Sequence, residues 1–218
     1  MDDLSQKLSR TVWIGIGLLV VILCLAYALS KLDPPRPRPG APPVLSQVQD
    51  FALTNQDGQP VNLASLRGHV WVADIIFTRC PGPCPRMTQQ MKALQDALPA
   101  PSQAQLVTLT TDPDFDSPGV LKAEAERFGA NPDRWTFLTG SKKEIAALAI
   151  DGLKLTAIEK KPEERENVAD LFIHSTYFVV VDGKARVRGV FETTGEGIDP
   201  ARVRGEILAL IQQLERAR

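Results

Sequence analysis

The stretch VWVADIIFTRCPGPCPRM, residues 70–87, decides the fold of this 218-residue chain. Residues 70–78 form a mostly apolar run with β-branched side chains, which predicts a buried strand. Residues 86–98 follow with apolar side chains at helical spacing, which predicts a helix. Cys80 and Cys84 lie between them, and each is followed by a proline. The sequence therefore predicts a strand, a loop that carries both cysteines, and a helix.

The prolines predict an unusual conformation for this loop. A residue that precedes proline is pushed out of the helical region, so residues 80–84 are expected to form a stiff, non-helical loop. Gly82 is expected to be free to adopt a positive φ. Pro85 suits the first position of the helix, which places Cys84 near the N-cap. There the macrodipole and the backbone N–H groups favour a thiolate.

The cysteine pair has three interpretations: buried packing, a permanent disulfide, or chemistry. A disulfide across three residues closes a small loop and would stabilise little. Proline-framed cysteines at a strand end are better explained by chemistry, as a dithiol redox couple or a soft-metal site. The third cysteine, Cys24, lies in an apolar run and is interpreted as packing.

A metal site would need a donor beyond two thiolates, and the chain has two histidines, His69 and His174. His69 precedes the first long strand, at the end opposite Cys80, and is interpreted as a surface residue. His174 lies just before a predicted hairpin strand, which the expected layout places beside the cysteine loop. A Cys₂His set suits Cu(I), and also Cu(II), whereas structural zinc wants a fourth ligand.

The rest of the globular sequence alternates strands and helices. Further strands are predicted at 105–111 and 135–138, and further helices begin at Ser117-Pro118, at the capping box from Ser141 to Glu144, and at Asp199-Pro200. Asp182-Gly183, between residues 176–181 and 185–191, predicts a hairpin. Alternation followed by a hairpin predicts an α/β, thioredoxin-like fold with a central mixed sheet. Functional sites gather at the carboxyl ends of the strands of such sheets, where Cys80 lies.

The N-terminal segment predicts one transmembrane helix ahead of this domain. Residues 11–29 contain no charged side chain and are long enough to span a bilayer. A cleaved signal peptide is the alternative, but the run exceeds a usual signal core. Lysines and arginines flank it on both sides, so charge leaves the orientation open. The predicted parts are a tail at 1–10, an anchor at 11–30, a proline-rich linker at 31–43 and a domain at 44–218.

Composition excludes some classes of protein. The net charge is −1, which gives no reason to expect nucleic acid as a partner. Three cysteines are too few for a disulfide-stapled scaffold.

Several stretches together resemble the Sco/SenC family: FTRCPGPCPRM, TTDPDFDSPGVLKAEAERFGA, WTFLTG and HSTYFVVVDG, within roughly residues 48–215. The resemblance implies a membrane-anchored, thioredoxin-like copper chaperone for cytochrome c oxidase assembly. It implies that Cys80, Cys84 and His174 bind copper. The implied partners are the oxidase subunit that carries the dinuclear copper site, other copper chaperones and thiol reductases. It also implies a domain outside the cytoplasm. The lack of an Arg- and Ser-rich leader favours the periplasmic side of a bacterial inner membrane.

The chain departs from the family pattern at two positions. Gly82 stands where an acidic residue is usual, and His69 stands where a lysine is usual. The loop DPDFD, residues 112–116, matches the family's Asp-Pro-x-x-Asp segment. Its acids are expected to shape a loop near the site and the helix start. The alternative is that Asp112 or Asp116 orients His174 or contacts a partner. A calcium loop is excluded because the required glycine and glutamate are absent.

The sequence leaves the reaction open. Copper delivery would use both thiols and His174. A thiol–disulfide oxidoreductase, which would make the protein an enzyme, needs only Cys80 and Cys84. A peroxidase would place Thr or Ser three residues before its reactive cysteine, where this chain has Phe77. A membrane-tethered sensor of copper or redox state is the remaining alternative.

Overall fold

The computed structural model describes residues 2–32, 42–165 and 171–217. The chain divides into two compact units, Met1–Ala41 and Pro42–Arg218. The first unit contains the long helix α1 (Asp2–Leu32). Over the described ranges, no helix combines the length and the apolar character needed to cross a membrane. Most of the expected linker falls outside the described residues.

Within the ranges that the structure describes, the second unit contains ten strands, five α-helices, one π-helix and one 3₁₀-helix (Pro162–Glu164). The strands are β1 (Ser46–Gln47), β2 (Ala52–Asn55), β3 (Pro60–Asn62), β4 (Trp71–Ile76), β5 (Gln105–Thr110), β6 (Trp135–Thr139), β7 (Ala157–Glu159), β8 (Phe172–His174), β9 (Tyr177–Val181) and β10 (Arg186–Glu192). The helices are α2 (Leu63–Leu66), α3 (Pro83–Ala97), α4 (Pro118–Arg127), α5 (Lys142–Ala146), which continues as a π-helix (Ala147–Gly152), and α6 (Pro200–Arg216).

Eight strands form one mixed sheet in the order β1-β10-β9-β4-β5-β6-β2-β3. The strands β4, β5 and β6 are parallel, and the hairpin β9–β10 adds antiparallel strands beside β4. The mixed α/β layout predicted from the sequence is therefore confirmed. The hairpin β2–β3 at the other edge was not predicted, and neither was the separate antiparallel pair β7–β8.

The predicted helix starts are confirmed by their caps. The Ser141 hydroxyl accepts a hydrogen bond from the Glu144 N–H at 3.2 Å and donates one to the Glu144 carboxylate at 2.7 Å. The Asp199 carboxylate accepts from the Ala201 N–H at 2.9 Å. Ser117 caps α4 in the same way. Each side chain satisfies an N–H group that has no acceptor within the first helical turn.

The core lies on both faces of the sheet, and β4 contributes to each because its side chains alternate between faces. One set, here called the α3 cluster, includes Val72, Ile76, Phe77, Cys80, Cys84, Met87, Met91 and Ile207. The other, the α5 cluster, includes Trp71, Ala73, Ile75, Leu109, Ile145 and Leu148. Both cysteines thus belong to the core on the α3 face.

The hairpin turn differs from the one expected at Asp182-Gly183. The positive φ falls on Ala185, at 62°, which is unusual for a residue with a side chain. Gly183 instead lies close to another part of the backbone. A Cβ atom there would lie 3.1 Å from the carbonyl carbon of Gly68, so a side chain at this position would require a small shift of the neighbouring backbone.

Asp182 anchors this turn through a buried ion pair. Its carboxylate accepts hydrogen bonds from Arg188 at 2.7 Å and from Arg186 at 2.9 Å. Arg188 also donates to the carbonyl groups of Pro42 and Pro43, which ties the start of the domain to β10. Burial acts to raise the pKa of Asp182, but hydrogen bonds from the two arginines outweigh it and hold that pKa below its ordinary value of 3.8.

Replacing Asp182 by Asn should lower the free energy of unfolding by about 3 kcal/mol at neutral pH, because the buried Arg188 charge loses its partner. The folded state favours the ionised carboxylate. This stabilisation is therefore present above pH 3.8 and is lost as the pH falls through the lowered pKa. Denaturant unfolding between pH 2 and 7 measures both effects. The exposed carboxylate in Asp57→Asn is the control, with an expected loss below about 1 kcal/mol. If the difference in the free energy of unfolding between wild type and Asp182→Asn stayed constant as the pH fell to 2, this account would be contradicted.

Candidate metal centre

The cysteine loop lies at the carboxyl end of β4, as predicted, but α3 begins earlier than expected. Gly82 is the N-cap, with φ −113° and ψ −102°, and the helix starts at Pro83. The predictions of a positive φ at Gly82 and of a non-helical Cys84 are therefore wrong. Pro83 and Pro85 fit within the first turn because the N–H groups they lack would have no acceptor there.

Both candidate cysteines are buried and are not joined by a disulfide, with 7% of Cys80 and 2% of Cys84 exposed. Their side chains hydrogen bond to each other. This hydrogen bond and burial raise the pKa of the Cys84 thiol well above its ordinary value of 9.0. The thiolate expected at Cys84 from its helix position is therefore wrong for this state, since burial and the neighbouring thiol outweigh the helix dipole.

A buried carboxyl group, that of Asp74, lies in the strand that leads to the cysteines. Asp74 is fully buried on the same face of β4 as Val72 and Ile76. Its carboxylate accepts a hydrogen bond from the Thr108 hydroxyl at 2.7 Å, and Trp135 donates to that hydroxyl at 2.9 Å. The charge of Asp74 adds to the rise in the pKa of Cys84. Sequence reasoning missed this residue, although it is the one charged side chain in an apolar run.

The loop at residues 112–116, here called the aspartate loop, holds the segment just before Cys80. Asp116 is fully buried and accepts hydrogen bonds from the Thr78 N–H at 3.1 Å, the Thr78 hydroxyl and the Thr110 hydroxyl. Burial raises the pKa of Asp116, and these hydrogen bonds only partly offset the effect. The prediction that these acids shape a loop near the site is confirmed.

A second contact from the same loop fixes Arg79, the residue before Cys80. The Arg79 guanidinium forms an ion pair with Asp112 and lies 4.2 Å from the ring centroid of Phe115. Asp112 is 4% exposed, whereas Phe115 is 44% exposed. The aspartate loop therefore binds Thr78 through hydrogen bonds and Arg79 through an ion pair. These contacts restrain the backbone that carries Cys80.

The strand β8, which carries His174, lies in the small sheet with β7, where His174 pairs with Ala157. The ring of Phe172, in the same strand, lies 5.1 Å from that of Phe77. Phe172 also packs against the α3 cluster, which contains both cysteines. The fold thus brings β8 to the cysteine side of the sheet. The side chain of His174 falls outside the described part of the structure, and its metal role stays a prediction.

His69 is at the other end of the sheet, beside Gln103, whose carbonyl lies 3.2 Å from its Nδ1 atom. Among the described residues, no group of three or more His, Cys, Asp or Glu side chains is placed to hold a metal ion. The described part of the candidate site is therefore a dithiol, supported by the aspartate loop and by the buried carboxyl group of Asp74.

Comparisons with known proteins agree on one family. The family model described as SCO1/SenC matches residues 41–211. The "SCO1 protein homolog" of Bacillus subtilis is 38% identical over 172 residues, which cover 77% of this chain and 81% of the relative. A structure of BsSco, described as a member of the Sco family of cytochrome c oxidase assembly proteins with a disulfide switch, is 31% identical. Its TM-score is 0.63, with 78% of this chain and 98% of that chain covered.

The structure of yeast Sco1 with copper bound has a TM-score of 0.63 and 22% identity, and it covers 77% of this chain and 89% of that chain. At this identity the likeness concerns the fold alone. Because the family model matches residues 41–211, which is well over half of the chain, this protein belongs to the SCO1/SenC family.

Proposed function

We propose that the protein carries copper as cargo, bound by Cys80, Cys84 and His174, and delivers it during cytochrome c oxidase assembly. The observation that carries the proposal is the pair of buried, hydrogen-bonded cysteine side chains at the end of β4 in a chain of this family. The oxidase-assembly role stated for BsSco supports it, and yeast Sco1, which shares the fold, holds copper. The receiving partner would be the oxidase subunit with the dinuclear copper site.

The donor chemistry of this site suits copper. Thiolate sulfur is a soft ligand that favours Cu(I), and an imidazole as third donor also accommodates Cu(II). The raised pKa of Cys84 means that the metal must displace a proton from the buried thiol. Copper binding should therefore release protons and should strengthen as the pH rises. The two thiols can also be oxidised to a disulfide, which would exclude the metal, so thiol reductases are expected partners.

Location is a further part of the proposal. The tail at residues 1–10 would precede a transmembrane anchor at 11–30, and a linker at 31–43 would carry the domain at 44–218. That domain would face the periplasm of a bacterial cell. The uncharged run at residues 11–29 supports this assignment. Alkaline extraction of membranes would leave the full chain in the pellet, whereas recovery in the supernatant would contradict the anchor.

A thiol–disulfide oxidoreductase is the second candidate function. The hydrogen bond between the Cys80 and Cys84 side chains favours it, because it places the two sulfur atoms next to each other. In that reaction the two thiols would be oxidised to a disulfide while a disulfide of the partner is reduced to two thiols. This function does not require His174.

Anaerobic addition of Cu(I) to the reduced full chain tests the proposal. We expect one copper per chain, and none when the chain is first oxidised to the Cys80–Cys84 disulfide. Metal analysis after desalting, together with thiol titration, measures both. Equal binding by the oxidised chain would show that the thiols are not ligands. Rapid reduction of a test disulfide without copper binding would favour the oxidoreductase.

A further inference from the structure

The hairpin β7–β8 contacts the rest of the domain at its base and on its cysteine side. At its base, the Ser175 N–H donates to the Thr156 carbonyl at 3.0 Å, and the Thr156 N–H donates to the Ser175 hydroxyl. Phe172 contacts Phe77 on the cysteine side. The hairpin forms a separate two-stranded sheet and does not pair with the main one. Beyond its backbone connection to β9, its position relative to the cysteines therefore depends on side-chain contacts.

Lys142 provides such a contact. Its Nζ atom lies 2.7 Å from the Asp114 carboxylate and 2.9 Å from the Glu159 carboxylate. Glu159 belongs to β7, and Asp114 belongs to the aspartate loop. Hydrogen bonds to Asp114 and Glu159 raise the pKa of Lys142, so its ammonium group stays charged. The Lys142 ammonium group thus connects the hairpin β7–β8 with the aspartate loop, which contacts the residues just before Cys80.

The helix that carries Lys142 is anchored in the domain. It lies in the first turn of α5, which begins at the Ser141 cap, and Ile145 of the same helix is buried in the α5 cluster. The aspartate loop is fixed by the buried Asp116 carboxylate. Movement of the hairpin away from the cysteines would therefore separate Glu159 from the ammonium group. Without the cation, Asp114 and Glu159 would be two like charges facing each other.

We propose that Lys142 is a positioning residue for the copper site, which holds β7–β8 against the aspartate loop and so keeps the His174 strand next to the cysteines. This inference rests on the proposed function. The pairs are partly exposed, at 47% for Lys142 and 46% for Glu159, so each contributes little alone. Arg165 also contacts Glu159 at 3.2 Å and would retain part of the attachment.

Replacement of Lys142 by Met in the full chain should speed the loss of copper to excess chelator by about 2- to 5-fold. Lys142→Arg, which keeps the cation, should restore most of the wild-type rate. Lys122→Met is the matched control, because Lys122 is similarly exposed, at 54%, and pairs with Asp57 at 2.9 Å in another part of the domain. In wild type, about 1 M salt should reproduce part of the Lys142→Met effect.

Two further readouts separate positioning from general stability. Thermal unfolding of the copper-free chain should be the same for Lys142→Met and Lys122→Met. In Cu(II)-loaded protein, the nitrogen hyperfine signal of the bound imidazole should broaden or weaken in Lys142→Met only. The Lys142 effect should also vanish in a chain that already carries His174→Ala, since it acts through that residue.

The outcomes distinguish this inference from the proposed function. If His174→Ala weakens copper binding but Lys142→Met releases copper at the wild-type rate, the inference is wrong and the ligand set stands. If Lys142→Met acts equally with and without His174, Lys142 does not work by positioning that strand. If His174→Ala leaves copper binding unchanged, both the three-ligand site and the role of Lys142 are wrong.

Discussion

Copper binding should be lost when either Cys80 or Cys84 is replaced by serine. A neutral hydroxyl is a hard, weak donor and cannot replace a thiolate as a ligand of Cu(I). Even residues that only orient metal ligands contribute about 10- to 100-fold to affinity, so loss of a thiolate should cost more than about 100-fold. Competition with a Cu(I) chelator of known affinity, under anaerobic conditions, measures the change.

The chain offers its own control for this experiment. Cys24 is exposed in α1, outside the domain that carries the pair, so Cys24→Ser should bind copper as wild type does. Both site cysteines are buried, and a serine hydroxyl without a hydrogen-bond partner is destabilising there. Cys84→Ala, which buries no polar group, keeps the test decisive if Cys84→Ser folds poorly. Tight binding of one copper per chain by a folded Cys80 or Cys84 variant would contradict the thiolate site.

The strand, the cysteine pair and the following helix were predictable because their signals are local. Residues 71–76 are apolar except for Asp74, the first cysteine follows four residues later, and the helical spacing begins soon after. The start of α3 was not predictable from the sequence. The preference of residues before proline for extended backbone gave way at Cys84, whose side chain packs in the α3 cluster with Met87. Burial of those side chains outweighed the local preference.

Features that depend on distant pairing were not predictable from one sequence. The strand β2 joins β6 across more than eighty residues, and β7 and β8 contain only three residues each. Such short strands carry almost no periodic signal. The positive φ of Ala185 is likewise imposed by the surroundings of the turn, since the local sequence places the turn preference on Gly183.

For the residues that support the cysteines, the sequence likewise indicated the residues but not their distant partners. The aspartate loop was recognisable from its acids, but its hydrogen bonds to Thr78 join residues 38 positions apart. Asp74 carried a usable signal, because a charged residue inside an otherwise apolar strand needs a buried partner. Its hydrogen bond from Thr108, 34 residues away, could be found only in the folded chain.

Replacing His174 by Ala should separate the two candidate functions. If the imidazole is the third ligand, copper affinity should fall by about 100-fold or more, because the loss of a ligand should exceed that of a residue that only orients one. Thiol–disulfide exchange depends on the sulfur atoms, so the rate at which the reduced chain reduces a small aromatic disulfide should not change. Both quantities can be measured on the same preparation.

His69→Ala is the matched control, because His69 is the other histidine of the chain and lies at the opposite end of the sheet. It should leave copper affinity and disulfide reduction as in wild type. If His174→Ala slows disulfide reduction as much as it weakens copper binding, the variant has disturbed the cysteine loop itself. If it binds copper as tightly as His69→Ala, the two thiols alone hold the metal. The strand β8 then needs another explanation for its place beside Phe77.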